Sequence, residues 1–107
     1  MDLDRRRSLR YPFYAAAEIT EPQTNTKFKA RTSELSRYGC YMDMMNPFPL
    51  GTNVTIEITY QEQRFEAAGR AVYSQPNMGM GVAFEALQAA HEATLEKWLG
   101  ELKGKPD

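Results

Sequence analysis

Apolar and polar residues alternate with a period of two through most of residues 14–84, which is the pattern of strands with one buried face. The alternation predicts strands at residues 14–20, 27–34, 39–44, 54–60, 64–74 and 80–84. In the longest segment the residues of one parity are Phe65, Ala67, Gly69, Ala71 and Tyr73. We therefore expect these five positions to face the same side of one strand, with a bend at Gly69.

Turn signals separate the predicted strands. The polar stretch 21–26 ends the first strand, and residues 46–52 contain two prolines that cannot continue a sheet ladder. Residues 61–63 form a short connection, which predicts a hairpin between the fourth and fifth strands. Residues 76–79 turn the chain into the last strand, so the strands follow one another as an antiparallel series.

The period changes after residue 86. Apolar or packing residues then recur at spacings of three and four, at Leu87, His91, Leu95, Trp98, Leu99 and Leu102. This spacing predicts an amphipathic helix of about four turns that ends near Gly104 and Pro106. Six short antiparallel strands and one C-terminal helix predict an all-β dominated fold, a small β-barrel with one end or side covered by the helix. We expect a single domain with a basic arm at residues 1–12 and the barrel and helix at residues 13–104.

The charge distribution restricts the classes of function. The chain has 107 residues and a net charge of −1, from 13 Lys plus Arg against 14 Asp plus Glu. A near-neutral chain is not expected to bind DNA non-specifically. The positive charge is concentrated in Arg5, Arg6, Arg7 and Arg10. The chain has neither an apolar run of about 18 residues nor a secretory signal pattern, so we expect no membrane insertion and a cytoplasmic location.

Few residues suggest catalysis. Ser36 lacks the context of a nucleophile elbow, and the single histidine, His91, falls on the apolar face of the predicted helix as a packing residue. Cys40 follows Gly39 in a strand and is expected to be a small buried hydrophobe. One Cys and one His do not make a zinc site, and no acidic cluster suggests Mg²⁺. We therefore expect a binding module that is not an enzyme and has no metal.

Two short stretches have the residue types of a ligand site. Arg6 and Arg10 have planar guanidinium groups that suit bidentate phosphate contacts and stacking on flat rings. Downstream, Ser36 offers a hydroxyl that donates and accepts, and Gly39 tolerates positive φ and a close ligand. Together they suggest a ligand with both phosphates and flat bases.

The order and spacing of these stretches resemble the signature of the PilZ domain, the bacterial receptor module for cyclic di-GMP, in which R-x-x-x-R precedes [D/N]-x-S-x-x-G. Arg6 and Arg10 match the first half, and Ser36 and Gly39 match the second. The glycine-rich stretch 79–84 resembles the last strand of that family. The chain departs from the pattern at Glu34, where the family has Asp or Asn.

The resemblance implies a regulatory receptor for cyclic di-GMP with no other cofactor. Arg6 and Arg10 would then bind phosphates and stack on guanine, and Ser36 and Gly39 would form the other half of the site. Glu34 would accept from the guanine edge, and Arg5 and Arg7 are further candidates for phosphate contacts. Binding would order the arm, and an effector protein that the sequence does not identify would detect the change.

Two alternatives remain at this point. One is a degenerate PilZ adaptor that works through protein contacts without nucleotide, as in type IV pilus function, although such adaptors usually lack the arginine pair. The other is an OB-like barrel that binds single-stranded nucleic acid through aromatic residues on a basic strand face. The confinement of the arginines to the arm argues against the second. The chain is expected to be a monomer or a weak homodimer.

Overall fold

The computed structural model describes residues 9–104, which form seven strands and one helix. The strands are β1 (Tyr11–Pro12), β2 (Ala16–Glu21), β3 (Thr26–Leu35), β4 (Gly39–Asp43), β5 (Asn53–Tyr60), β6 (Gln63–Gln75) and β7 (Gly79–Ala86), and the helix is α1 (Ala89–Gly104). The six strands predicted from alternation are β2 to β7, each within a few residues of its expected bounds. Strand β1 was not predicted.

Six strands close into an antiparallel barrel. Their order is β3-β2-β5-β6-β7-β4, and β4 pairs back onto β3. Every edge is therefore paired within the barrel, which removes the exposed edges of an open sheet. The predicted fold class, a six-stranded antiparallel barrel with a C-terminal helix, is confirmed.

The predicted hairpin joins β5 and β6 through the two residues Gln61 and Glu62. Both have positive φ, 50° and 66°, as the two central residues of a type I′ turn require. Tyr60 pairs with Gln63 directly across this turn. The tight connection holds the two strands in one register, in which Ile56, Ile58 and Phe65 all face the core.

Strand β1 and strand β2 lie one after the other along the same side of β3. Tyr11 pairs with Leu35, and Ala16 pairs with Arg31. Between them the Thr32 hydroxyl, fully buried, donates to the Phe13 carbonyl at 2.7 Å and accepts from the Ala15 N–H at 3.0 Å. The Thr32 side chain thus provides hydrogen-bond partners for backbone groups of residues 13 and 15, where the pairing with β3 is interrupted between β1 and β2. The interruption explains why alternation alone did not reveal β1.

Helix α1 packs over the end of the barrel where β5 meets β6. Trp98 is 1% exposed, its ring centroid lies 5.3 Å from that of Phe13 and 6.1 Å from that of Phe65, and its indole N–H donates to the Gln63 side-chain oxygen at 3.0 Å. Leu95 is buried beside it. The apolar face predicted for the helix is therefore the face that packs on the barrel.

The helix begins at Ala89, two residues after Leu87, the first position of the helical pattern. Strand β7 continues to Ala86, which pairs with Ala68 of β6. The Gln88 carbonyl then accepts from the N–H groups of His91 and Glu92 and begins the helix. Leu87, counted in the helical pattern, thus precedes α1. His91 is a packing residue as expected, and its Nδ1 accepts from the Glu66 backbone N–H at 3.1 Å.

Candidate ligand-binding site

The turn between β3 and β4 is built around Ser36. Its backbone N–H donates to the Gly39 carbonyl at 2.9 Å, and its hydroxyl oxygen accepts from the N–H groups of Tyr38 and Gly39, each at 3.2 Å. The hydroxyl hydrogen points to the Gly39 carbonyl, 3.3 Å away. Ser36 therefore holds the shape of the turn, and a ligand at this point would meet a preformed surface.

Gly39 is required by the packing of the barrel wall. A Cβ at this position would lie 2.2 Å from the Val82 carbonyl oxygen, a distance that no real Cβ tolerates. Its φ is not in the left-handed region, where the one described glycine is Gly51. The close approach predicted at Gly39 is thus an approach of β7 to β4.

A β-bulge in β3 turns Glu34 outward. Thr32 pairs with Met42 and Glu34 pairs with Tyr41, so Ser33 has no residue opposite it on β4. Because of this extra residue, Thr32 and Leu35 both face the core, at 0% exposure, and Glu34 stands on the outer surface beside Tyr41. Bulges commonly re-aim a side chain next to a functional site.

Arg10 approaches the same surface from the N-terminal side. Tyr11 pairs with Leu35 and Pro12 with Glu34, so the antiparallel register carries the exposed Arg10 towards Ser36. Arg5, Arg6 and Arg7, the other arginines predicted for the site, lie outside the described residues. The register thus gathers Arg10, Glu34, Ser36 and Gly39 from distant positions in the sequence.

These four residues line one open pocket of about 460 Å³ on the side of the barrel, within the usual range for sites that bind small molecules. The pocket lies where β3, β4, β7 and β6 run side by side. Three tyrosines that the sequence did not assign to the site, Tyr38, Tyr41 and Tyr73, also line it.

A second bulge places Tyr73 in the pocket. Ala71 pairs with Val82 and Tyr73 pairs with Gly81, which leaves Val72 as the extra residue of β6. The prediction that Tyr73 shares the core-facing parity of Phe65 and Ala71 is therefore wrong. Tyr73 is 51% exposed, whereas Phe65 and Ala71 are at most 1% exposed. The extra residue reverses the alternation for the rest of the strand.

Glycines of β7 make room for two of these tyrosine rings. A Cβ on Gly81 would lie 2.4 Å from Cδ2 of Tyr73, and a Cβ on Gly79 would lie 2.6 Å from Cε2 of Tyr41. The Tyr41 hydroxyl donates to the Gln75 side-chain oxygen. The spacing Gly79-x-Gly81 was a visible signal of this surface, because two glycines on one face of a strand leave a groove.

The charges around the pocket are mixed. Among its described lining residues, Arg10 is the cation and Glu34 the anion. Burial raises the pKa of Tyr41, and the nearby carboxylates Asp43 and Glu34 raise it further. Tyr41 is therefore a neutral hydrogen-bonding group at physiological pH.

Arg37 of the Ser36 turn faces away from the pocket. Its guanidinium lies 3.3 Å from the Glu96 carboxylate of α1, and both side chains are more than half exposed. An exposed ion pair of this kind contributes little to stability, but it shows that the turn and the helix touch.

The pocket combines a cation, a carboxylate and three aromatic rings, which suits a ligand with phosphates and flat bases. Within residues 9–104, no group of three or more His, Cys, Asp or Glu side chains is placed to hold a metal ion. No helix in that part of the chain is long and apolar enough to cross a membrane. The fold and the pocket together define a small β-barrel domain with an open pocket on one side.

The sequence profile of the PilZ domain matches residues 4–101, and the chain belongs to that family. None of the curated protein sequences is similar enough to match it.

Three solved structures show the same fold. The PilZ domain of CeSA from a cellulose-synthesizing bacterium has a TM-score of 0.71 and 18% identity, over 90% of this chain and 99% of its own. The PilZ domain of YcgR from Escherichia coli, solved with c-di-GMP, has a TM-score of 0.71 and 17% identity, over 92% of each chain. The inhibitor of motility MotI/DgrA from Bacillus subtilis has a TM-score of 0.71 and 15% identity, over 94% of this chain and 53% of its own.

Proposed function

We propose that this PilZ domain is a receptor for cyclic di-GMP. The observation that carries the proposal is the register of β1 on β3, which brings Arg10 to the pocket that contains Glu34 and Ser36. The solved YcgR domain with c-di-GMP, which has the same fold, supports this choice of ligand.

In the proposed complex, Arg10 and Arg6 bind the phosphates and stack on guanine, and Arg5 and Arg7 add phosphate contacts. Each hydrogen bond to a charged group contributes roughly 1.5 to 3 kcal/mol, and an arginine stacked on an aromatic ring adds roughly 0.5 to 2 kcal/mol. Two or three such contacts offset a substantial part of the cost of association, and the contacts of the barrel half of the site add to them. The charged contacts are therefore the main source of affinity.

Glu34 and the Ser36 turn form the half of the proposed site that belongs to the barrel. The carboxylate of Glu34 accepts from the N–H groups of guanine, as the bulge at Ser33 points this side chain outward. The Ser36 turn is held by its own hydrogen bonds, so it provides a rigid floor. A preformed floor lowers the entropy cost of binding.

The output of the proposed receptor is a change in residues 1–12, which an effector protein detects. The chain that follows Arg10 is tied to the barrel through the Thr32 hydroxyl and packs Phe13 against Trp98 of α1. A change in the arm therefore occurs next to a fixed anchor. Trypsin cleavage after Arg5, Arg6 and Arg7 is expected to slow when cyclic di-GMP is bound, and an unchanged cleavage rate would contradict the switch.

Calorimetric titration tests the choice of ligand. Cyclic di-GMP is titrated into the protein, with GTP and short oligonucleotides as controls at the same ionic strength, because phosphate contacts depend on salt. Heat with the cyclic dinucleotide alone supports the proposal. No heat with any of the three favours the adaptor that acts without nucleotide, and heat with the oligonucleotides alone favours a single-strand binder.

A further inference from the structure

We propose that Tyr73 is the stacking platform for one base of the dinucleotide, and that this base is a different one from the base that meets Glu34. The inference rests on the proposed function. It assigns to Tyr73 the selection of a ligand with two bases over a mononucleotide.

Three features of the structure place Tyr73 in this role. The bulge at Val72 takes the ring out of the core and leaves it 51% exposed in the pocket. The absence of a side chain at Gly81 lets the ring lie against the strand. Among residues 9–104, the side chain of Tyr73 has no hydrogen-bond, ion-pair or aromatic partner. A ring exposed on a concave surface in this way is available to a flat ligand.

Tyr41 differs from Tyr73 in this respect. Its hydroxyl is bound to Gln75 and its ring covers Gly79, so it forms a fixed wall of the pocket. Of these two rings, Tyr73 is the one whose face is open to a ligand.

The separation of Glu34 and Tyr73 along the barrel surface favours two bases. Glu34 pairs with Tyr41, Tyr41 with Gly81, and Gly81 with Tyr73. These four residues form one row across four strands, which spans about 14 Å along the barrel surface at about 4.8 Å per strand spacing. A ligand with two bases joined through phosphates extends along this row further than a single purine does, so that each end of the row can meet its own base.

The test compares Tyr73→Phe, Tyr73→Leu and Tyr73→Ala with the parent in calorimetric titrations of cyclic di-GMP. Base stacking on an aromatic ring predicts a loss of affinity of about five- to one-hundred-fold for the Leu and Ala variants, and little loss for Phe. The control is Tyr14→Leu, because Tyr14 is 61% exposed and lies against Arg31 away from the pocket. All variants are expected to melt within about 3 °C of the parent, since the changes are on the surface.

A second measurement locates the base directly. In Tyr73→Trp, cyclic di-GMP should quench the fluorescence of the new tryptophan. GMP should not quench it, even at concentrations that saturate the part of the pocket next to Glu34. Tyr14→Trp is the matched control, and Trp98 contributes a constant background because it is buried.

The outcomes separate the two proposals. If the parent does not bind cyclic di-GMP at all, the proposed function fails and this inference fails with it. If the parent binds and Tyr73→Leu binds equally well, the platform is wrong while the receptor stands. A loss in Tyr73→Phe as large as in Tyr73→Leu would show that the hydroxyl and not the ring makes the contact, which also overturns the inference.

Discussion

Two groups of aromatic side chains lie at different parts of the barrel and have opposite environments. Under α1, the rings of Phe13, Phe65 and Trp98 pack against one another and are at most 2% exposed. In the pocket, Tyr73 lies over a glycine and is 51% exposed. The first group contributes to stability, and the second is available for binding.

The difference follows from the regularity of the strands. Where β5 and β6 alternate without interruption, successive side chains point inward and outward as expected, and the large inward ones form the core. Where β3 and β6 contain a bulge, Glu34 and Tyr73 stand on the outside. The pocket, which is the proposed binding surface, therefore occurs where the ladder departs from ideal pairing.

The largest expected effect is on stability and comes from the helix-covered end. Trp98→Ala removes a fully buried ring, leaves a cavity against Phe13 and Phe65, and should lower the free energy of unfolding by about 3 to 5 kcal/mol. Urea denaturation followed by circular dichroism measures it. The matched change in the pocket, Tyr73→Ala, should alter the same quantity by less than about 0.5 kcal/mol. Equal losses in both variants would contradict the comparison.

The second effect is on binding and should leave stability unchanged. Arg10→Ala removes a charged group that is exposed in the free protein but adjacent to the Ser36 turn. Affinity for cyclic di-GMP should fall about tenfold to a thousandfold, while the melting temperature of the free protein stays the same. Arg31→Ala is the control, because Arg31 is also exposed but pairs with Asp43 outside the pocket. An unchanged dissociation constant would remove Arg10 from the site, and a lower melting temperature would make it structural.

The fold was predictable because it depends on regular alternation. The strand predicted at residues 14–20 has Ala15, Ala17 and Ile19 buried on one face. The hairpin at residues 61–63 and the packing face of α1 were likewise predicted from local patterns. Strand β1 was missed because a side-chain hydroxyl, that of Thr32, replaces the ladder bonds there. The alternation of apolar and polar residues does not indicate where a side chain takes the place of backbone hydrogen bonds.

The candidate site was predictable only in part. Arg10, Glu34, Ser36 and Gly39 were predicted through a motif, and in the structure they line one pocket. Tyr73 was assigned to the core because a period of two cannot reveal a one-residue bulge. The bulge depends on how β6 pairs with β7, which is a long-range interaction. The glycines at positions 79 and 81 were the sequence signal for this surface.

The third effect is on binding and tests whether Glu34, which the bulge in β3 turns outward, contacts the ligand. Glu34→Ala should weaken cyclic di-GMP binding by about 1 to 3 kcal/mol, because guanine N–H donors lose their acceptor. Glu34→Asp should tighten binding, since a shorter carboxylate matches the family pattern and needs no strained rotamer to meet the base. Dissociation constants at one salt concentration measure both changes. Glu18→Ala, which alters the net charge equally on another strand, is the control.

The outcome for Glu34 distinguishes a ligand contact from an obstruction. If Glu34→Ala binds as well as the parent or better, the carboxylate hinders the ligand and position 34 does not belong among the contacts. If both Glu34→Asp and Glu34→Ala weaken binding, the longer side chain is itself the better partner, and the expected gain from shortening it is wrong.

The smallest effect concerns Cys40, which stands between the two regions because it lines the pocket and yet is only 7% exposed. Burial raises the pKa of its thiol from 9.0 to about 12. Below pH 9 the thiol is protonated in both the folded and the unfolded chain. As the pH rises from 9 towards 12, only the unfolded chain releases this proton, so stability falls in that window.

Urea denaturation at pH 7 and pH 10 of the parent and of Cys40→Ala measures this contribution. Between the two pH values the parent should lose about 1 kcal/mol more of its free energy of unfolding than the variant. Tyr41, whose pKa is also raised, titrates in both proteins and so cancels in the difference. Equal losses in the two proteins would mean that water reaches the thiol from the pocket, and the wall that separates the binding surface from the core would then be open at Cys40.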